Sequence, residues 1–131
     1  MKENLKFFEN LQIEEERKLI IGEDFNIRIR GLGKIKSFSE DLDCRCSKDK
    51  ICSNEGKYLV ELVENNGWNF LNGTTRGDLE EEFTYIGARG NSVIDYVCVN
   101  ENRWVVLIDF IIGDKIDSDH MPLVLKIAEK I

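Results

Sequence analysis

The stretch Ile20-Ile21-Gly22-Glu23-Asp24-Phe25-Asn26 constrains the fold more than any other part of the chain. An apolar run that ends in two carboxylates and a carboxamide reads as a buried strand with a polar mouth. Leu19-Ile20-Ile21 is a continuous apolar triplet, suited to a strand covered on both faces, and Gly22 is where the backbone is free to leave it. Acceptors delivered at the end of rigid support can build a metal or phosphate site, provided that residues further along supply partners.

Around this strand the pattern is that of one α/β domain. From Asn4 to Glu16 the residues Leu5, Phe8 and Leu11 recur at helical spacing among charges and predict an amphipathic helix. Residues 27 to 53 hold two glycines, serine-bearing polar clusters and mixed charge, and read as a long surface loop. Ser53 or Asn54 is placed to cap a helix whose apolar stripe is Tyr58, Leu59, Leu62 and Val63, and which Asn66-Gly67 ends. Trp68-Asn69-Phe70-Leu71 reads as a short strand and Asn72-Gly73 as a turn. The acidic run from Asp78 to Glu82 reads as a solvated connection.

Phe83 to Ile86 and Ser92 to Val99 are β-rich runs joined by Gly87-Ala88-Arg89-Gly90-Asn91, which predicts an antiparallel hairpin. Strict alternation along the second run puts Val93, Asp95 and Val97 on one face and Ile94, Tyr96 and Cys98 on the other. A carboxylate in that company needs a partner. Val105 to Ile112 is a further apolar segment and Met121 to Ile127 a last strand, with Asp119-His120 between them; Pro122 suits the start of that strand.

A chain of 131 residues with 42% hydrophobic and 33% charged content can bury a core as a single domain. The apolar run from Trp104 to Ile112 is too short to span a bilayer, which together with an amino terminus unlike a signal peptide sets the expectation of an intracellular protein, nuclear or cytoplasmic, with no membrane partner. A net charge of −7 argues against tight nonspecific DNA binding. It is compatible with carboxylates gathered around a divalent cation that bridges protein and anionic substrate. Of four cysteines, Cys44, Cys46 and Cys52 cluster, but their spacing is not that of a zinc finger, and thiols are expected rather than disulfides.

Three elements therefore end in related chemistry: Asp24 and Asn26 after one strand, Asp95 within another, and Asp119-His120 before a third. Together they describe a general base, an orienting carboxylate and oxygen ligands for a hard cation. Gly22 to Asn26, Phe83-Thr84-Tyr85, Val93 to Val97 and Ser118-Asp119-His120-Met121-Pro122-Leu123, in that order, resemble the endonuclease/exonuclease/phosphatase superfamily. Gly87-Ala88-Arg89-Gly90 followed by Ser92 to Tyr96 is most similar to the endonuclease domains of non-LTR, LINE-type retrotransposon polyproteins and their craniofacial-development-protein-like relatives.

The resemblance implies half of a four-layer α/β sandwich, with one mixed, mostly antiparallel sheet and helices on one face. It implies hydrolysis of a DNA phosphodiester with Mg²⁺ or Mn²⁺. Asp24 would position or deprotonate the attacking water and contribute to metal binding, Asn26 would hold a phosphate oxygen, and Asp119 would bind the metal. His120 would contact the scissile phosphate, with Asp95 fixing its tautomer and favouring its charged form.

The likeness covers only the second half of the family's fold, from about Lys18 onward. The first half would supply an early Asn and the principal metal-binding Glu, so a partial domain over residues 1 to 131 is expected, from a longer gene product or a degenerate copy, with impaired activity. Its exposed inner sheet face would invite a homodimer or the docking of the missing half. Glu23 stands where relatives carry a small residue, and it would either crowd the phosphate or add a ligand. Two other functions fit the same residues: a non-catalytic remnant acting as a protein-binding or self-associating module, and a small-phosphoester phosphatase of the same superfamily.

Overall fold

A computed structural model describes residues 19–33, 45–100 and 107–128. The amphipathic helix expected over residues 4 to 16, Cys44 and the start of the Val105 to Ile112 segment lie outside the described residues. What is described is broadly α/β with little helix and antiparallel pairing throughout. Strand β1 is Ile20–Asp24, helix α1 Gly56–Asn65, β2 Trp68–Phe70, β3 Tyr85–Gly87, β4 Gly90–Ser92, β5 Asp95–Asn100, β6 Leu107–Ile112 and β7 Leu123–Ile127, with a 3-10 turn at Arg76–Asp78. Among these residues no helix is long and apolar enough to cross a membrane.

Among the described residues the strands form three sheets rather than the single one expected. One is three-stranded in the order β1-β5-β2; β3-β4 and β6-β7 are two-stranded ribbons. β5 is central and buried at all six positions. Tyr96 and Cys98 face a core that contains Leu59, Val60 and Val63 of α1, Trp68 and Phe70 of β2, and Phe25, Ile27 and Ile29. Val97 and Val99 face a second core with Leu71 and Phe110, against which Leu107, Ile112, Leu123 and Leu125 of the β6-β7 ribbon pack. Helix and ribbon thus cover opposite faces of β5, and the open inner face expected of a half sandwich is not found there.

Four local expectations are corrected. β1 is an edge strand whose residues are exposed or half-buried, so Leu19-Ile20-Ile21 is not covered on both faces. Gly22 pairs with Val97 inside the strand, which runs on to Asp24; the chain turns at Asn26, whose φ of 50° is a left-handed conformation that asparagine tolerates. The start of the expected surface loop is core, because Phe25, Ile27 and Ile29 alternate inward and are at most 1% exposed. The capping role given to Ser53 or Asn54 falls to Glu55, which makes no side-chain cap; the Ser53 hydroxyl accepts from the Arg28 amide at 2.9 Å instead.

The hairpin is present with register Tyr85↔Ser92 and Ile86↔Asn91, but the run from Ser92 to Val99 is broken at Val93-Ile94. This break changes ladder and face: Val93 packs with Tyr96 and Cys98, not with Val97. The acidic run is not solvated throughout, since Asp78 is 2% and Glu81 0% exposed. Glu81 pairs with the buried guanidinium of Arg45, which also donates from Nε to the Asn72 carbonyl at 2.9 Å.

Candidate active site

Asp24 and Asp95 come together because β1 and β5 pair antiparallel with those two residues directly opposite, at the end of the ladder. Beyond Asp24 the amide of Phe25 donates to the Ile94 carbonyl at 3.0 Å. The amide of Asn26 turns back to Asp24 Oδ1 at 2.9 Å. The bend therefore presents Asp24 and Asn26 side by side at the rim.

His120 reaches the same place by a separate route. Residues 119 to 121 lie along β3: the Ile86 amide donates to the Asp119 carbonyl at 2.8 Å and the Met121 amide to the Thr84 carbonyl at 2.7 Å. Tyr85 and His120 form a β-bridge, and their rings meet edge to face with centroids 5.2 Å apart. The Ser118 hydroxyl accepts from the His120 amide at 3.1 Å, tightening the turn before it.

Thr84 joins the two parts. Its buried hydroxyl accepts from the amides of Ile94 and Asp95, at 3.0 and 3.1 Å, where no strand partner is in place. The side chain of Asn72 continues the ladder past the end of β2: its Nδ2 donates to the Asp95 carbonyl at 3.0 Å and its Oδ1 accepts from the Val97 amide at 3.0 Å. From the sequence Asn72 is expected only in a turn and Thr84 only within the Phe83-Thr84-Tyr85 motif, neither with a role at the site. A threonine between Phe83 and Tyr85, and an asparagine straight after an apolar strand, are the only signals they offer.

At the centre, His120 Nδ1 lies 3.0 and 2.9 Å from the two oxygens of Asp95. An imidazole that donates from Nδ1 presents Nε2 as its working nitrogen, and here Nε2 lies 3.8 Å from Asp24 Oδ2. The hydrogen bond to Asp95, aided by the charges of Asp95, Asp24 and Asp119, holds the His120 ring above its ordinary pKa, so its charged form is favoured. Burial pushes the Asp95 carboxyl up against the opposing pull of His120 and Thr84. His120 opens on a cleft of about 520 Å³ lined also by Asp24, Asn26, Arg28 and Tyr85.

Asp24, Asn26, Asp95 and His120 are thus brought together. The carboxylate of Asp119 is not: it is exposed and paired with Lys115 Nζ at 3.0 Å. Glu23 alternates to the opposite face of β1 from Asp24 and does not join the group. Arg89 is exposed in the β3-β4 turn, and Cys46, Cys52 and Cys98 are free thiols, the last buried. Among the described residues Asp24, Asp95 and His120 form the one group of three metal-capable side chains, their ligand atoms within 4.8 Å of one another.

Of this donor set Asp95 is committed to His120, so a hard cation would rest on Asp24, with water and substrate phosphate completing its shell, as Mg²⁺ is commonly held by one or two carboxylates. No model of a known protein family matches the chain, and no curated protein matches it.

Proposed function

We propose that the chain forms the second half of a divalent-metal-dependent phosphodiesterase of the endonuclease/exonuclease/phosphatase type, acting on DNA as a retroelement endonuclease does. One relationship carries this reading: His120 is held through Nδ1 by Asp95 and turns Nε2 toward Asp24 at the mouth of a cleft. A bare structural ion pair does not require a second carboxylate beside Nε2 of the imidazole and a carboxamide lining the same cleft. On this reading the helix, the three-stranded sheet and the ribbon belong to one half of a four-layer sandwich.

Asp24 accepts a proton from water as the water oxygen bonds to phosphorus. The bond from phosphorus to the 3′ oxygen breaks and that oxygen takes a proton from solvent, leaving a 3′-hydroxyl and a 5′-phosphate. The side-chain carboxamide of Asn26 donates to a phosphate oxygen, and His120, charged and fixed by Asp95, donates from Nε2 to another as negative charge gathers there. Mg²⁺ or Mn²⁺, when bound by Asp24, supplies neutralisation of that charge. Asp119 joins the metal only by exchanging its contact with Lys115.

The test is hydrolysis of plasmid DNA and of bis(p-nitrophenyl) phosphate by the chain, with Mg²⁺, Mn²⁺ or chelator. Slow, metal-dependent cleavage that falls by roughly 10² or more in Asp24→Ala and in His120→Ala is expected. Cleavage that survives both substitutions, or none above the double variant, overturns the reading. Preferred turnover of a phosphomonoester moves it to the small-phosphoester branch of the same chemistry.

A further inference from the structure

Resting on that reading, we infer that Arg28 is a substrate-binding residue that takes the phosphodiester next to the one cleaved, held in position for it by Asp49. The geometry is that of a cation fixed from every side and still open to the cleft. Arg28 Nε and Nη2 donate to the two oxygens of Asp49, each at 2.7 Å, a bidentate fork that fixes the guanidinium plane. The backbone is pinned as well: the Arg28 amide donates to the Ser53 hydroxyl at 2.9 Å, and the Ser53 amide donates to the Arg28 carbonyl at 2.7 Å. Even so, 29% of the side chain is exposed, and it lines the cleft that holds Asp24, Asn26 and His120.

Asp49 is built for this position. It is 2% exposed and, besides the guanidinium, accepts from the amides of Val93 at 3.0 Å and Ile51 at 3.1 Å. Four donors on one buried carboxylate tie residues 49 to 51, Arg28 and the start of the β5 crossing into one unit. The same carboxylate that aims Arg28 thus holds the chain two residues before Asp95.

Fixed planar donors cost little side-chain entropy when an anion arrives, which is the reason arginine suits phosphate recognition. With Nε and Nη2 on Asp49, and Nη2 also donating to the Asn91 carbonyl at 3.4 Å, the guanidinium keeps Nη1 for a ligand in the cleft. His120 is the cation beside Asp24; Arg28, two residues past Asn26, is the second cation lining the same opening. A nucleic-acid strand brings one phosphate to each, whereas an isolated phosphodiester brings one in all.

That difference supplies the experiment. Arg28→Gln is measured on a fluorescein-labelled DNA oligonucleotide and on bis(p-nitrophenyl) phosphate, with thermal melting to confirm folding. The expected result is KM for the oligonucleotide raised by about tenfold, as for the loss of one charge-assisted hydrogen bond, with a far smaller change on the small diester. Oligonucleotide anisotropy across salt concentrations should show binding weakened and a salt slope smaller by about 1. Asp49→Asn should reproduce the KM effect in part, and Arg28→Lys should restore the salt slope without the full affinity.

Equal loss on both substrates, or melting lowered with KM and salt slope intact, overturns the inference and leaves Arg28 a purely structural partner of Asp49. Arg28-dependent binding in a chain that cleaves neither substrate removes the hydrolase reading and keeps the phosphate site. Metal-dependent cleavage indifferent to Arg28 does the opposite.

Discussion

His120 meets Asp95 through Nδ1 at 2.9 Å, and the two residues come from segments that pair with different strands, β3 and β1. The contact therefore reports whether the β3-β4 ribbon and the three-stranded sheet are correctly docked. It also sets the charge of the only histidine in the chain.

Because His120 is the only histidine, its ring proton resonance can be followed by NMR without assignment. The titration midpoint should lie above the usual histidine value and drop in Asp95→Asn, which keeps the shape and removes the anion. The sign for stability follows: a raised folded pKa stabilises fully below the unfolded value of 6.5, and the contribution is lost as pH rises through the folded midpoint. An unchanged midpoint in Asp95→Asn would show that the contact is not formed in solution.

Thr84 should matter through its oxygen rather than its size. Thr84→Val preserves volume and orphans the amides of Ile94 and Asp95, each at a cost of roughly 1–3 kcal/mol. Thr84→Ser should retain most of the stability in urea denaturation. Valine and serine variants of equal stability would dissociate Thr84 from the β4-β5 crossing.

Stability should decline as pH rises through the mildly acidic range. Burial pushes the Asp78 carboxyl up to about 6 and raises that of Glu81 as well, against the pull of the Arg45 guanidinium with which it is paired. Acids raised on folding stabilise fully below their unfolded values and lose that contribution as pH rises through the folded ones. Asp78→Asn should remove the lower step from a plot of melting temperature against pH. A plot that rises steadily from pH 5 to 9 contradicts the burial of both groups.

The buried pair of Glu81 and Arg45 gives a fourth outcome. Glu81→Leu leaves the Arg45 guanidinium, 3% exposed, without its carboxylate, and should cost about 3–5 kcal/mol. Adding Arg45→Met should recover much of that loss, since an apolar pair can replace an ion pair of similar volume. Glu81 also sits at φ 50°, unusual for a glutamate, so recovery should be incomplete. A double variant no better than the single one would mean that Arg45 is held mainly by its carbonyl contacts and by Phe70, whose ring it overlies at 5.2 Å.

The sequence by itself determined which residues could do chemistry and in what order they come. Asp24 and Asn26 ending one strand, Asp95 within another and His120 before the last were legible because each is a polar break in an apolar run. Helix α1, the β3-β4 hairpin and the β6 and β7 segments were legible for the same reason, periodicity being a local property. The alternation of Phe25, Ile27 and Ile29 was also present, but three inward residues between charges form no ladder, and they read as loop.

Tertiary structure alone decided the rest, because it depends on contacts between residues far apart in the chain. Arg45 turns an acidic run into core by pairing with Glu81, and Asp49 takes Arg28 from a loop that looked solvated. The break at Val93-Ile94 moves Val93 to the other face, since Thr84 and Asp49 bind the amides there in place of a neighbouring strand. Asp119, adjacent to His120 in sequence, is turned toward Lys115, whereas Asp95, 25 residues away, is the residue that holds the imidazole.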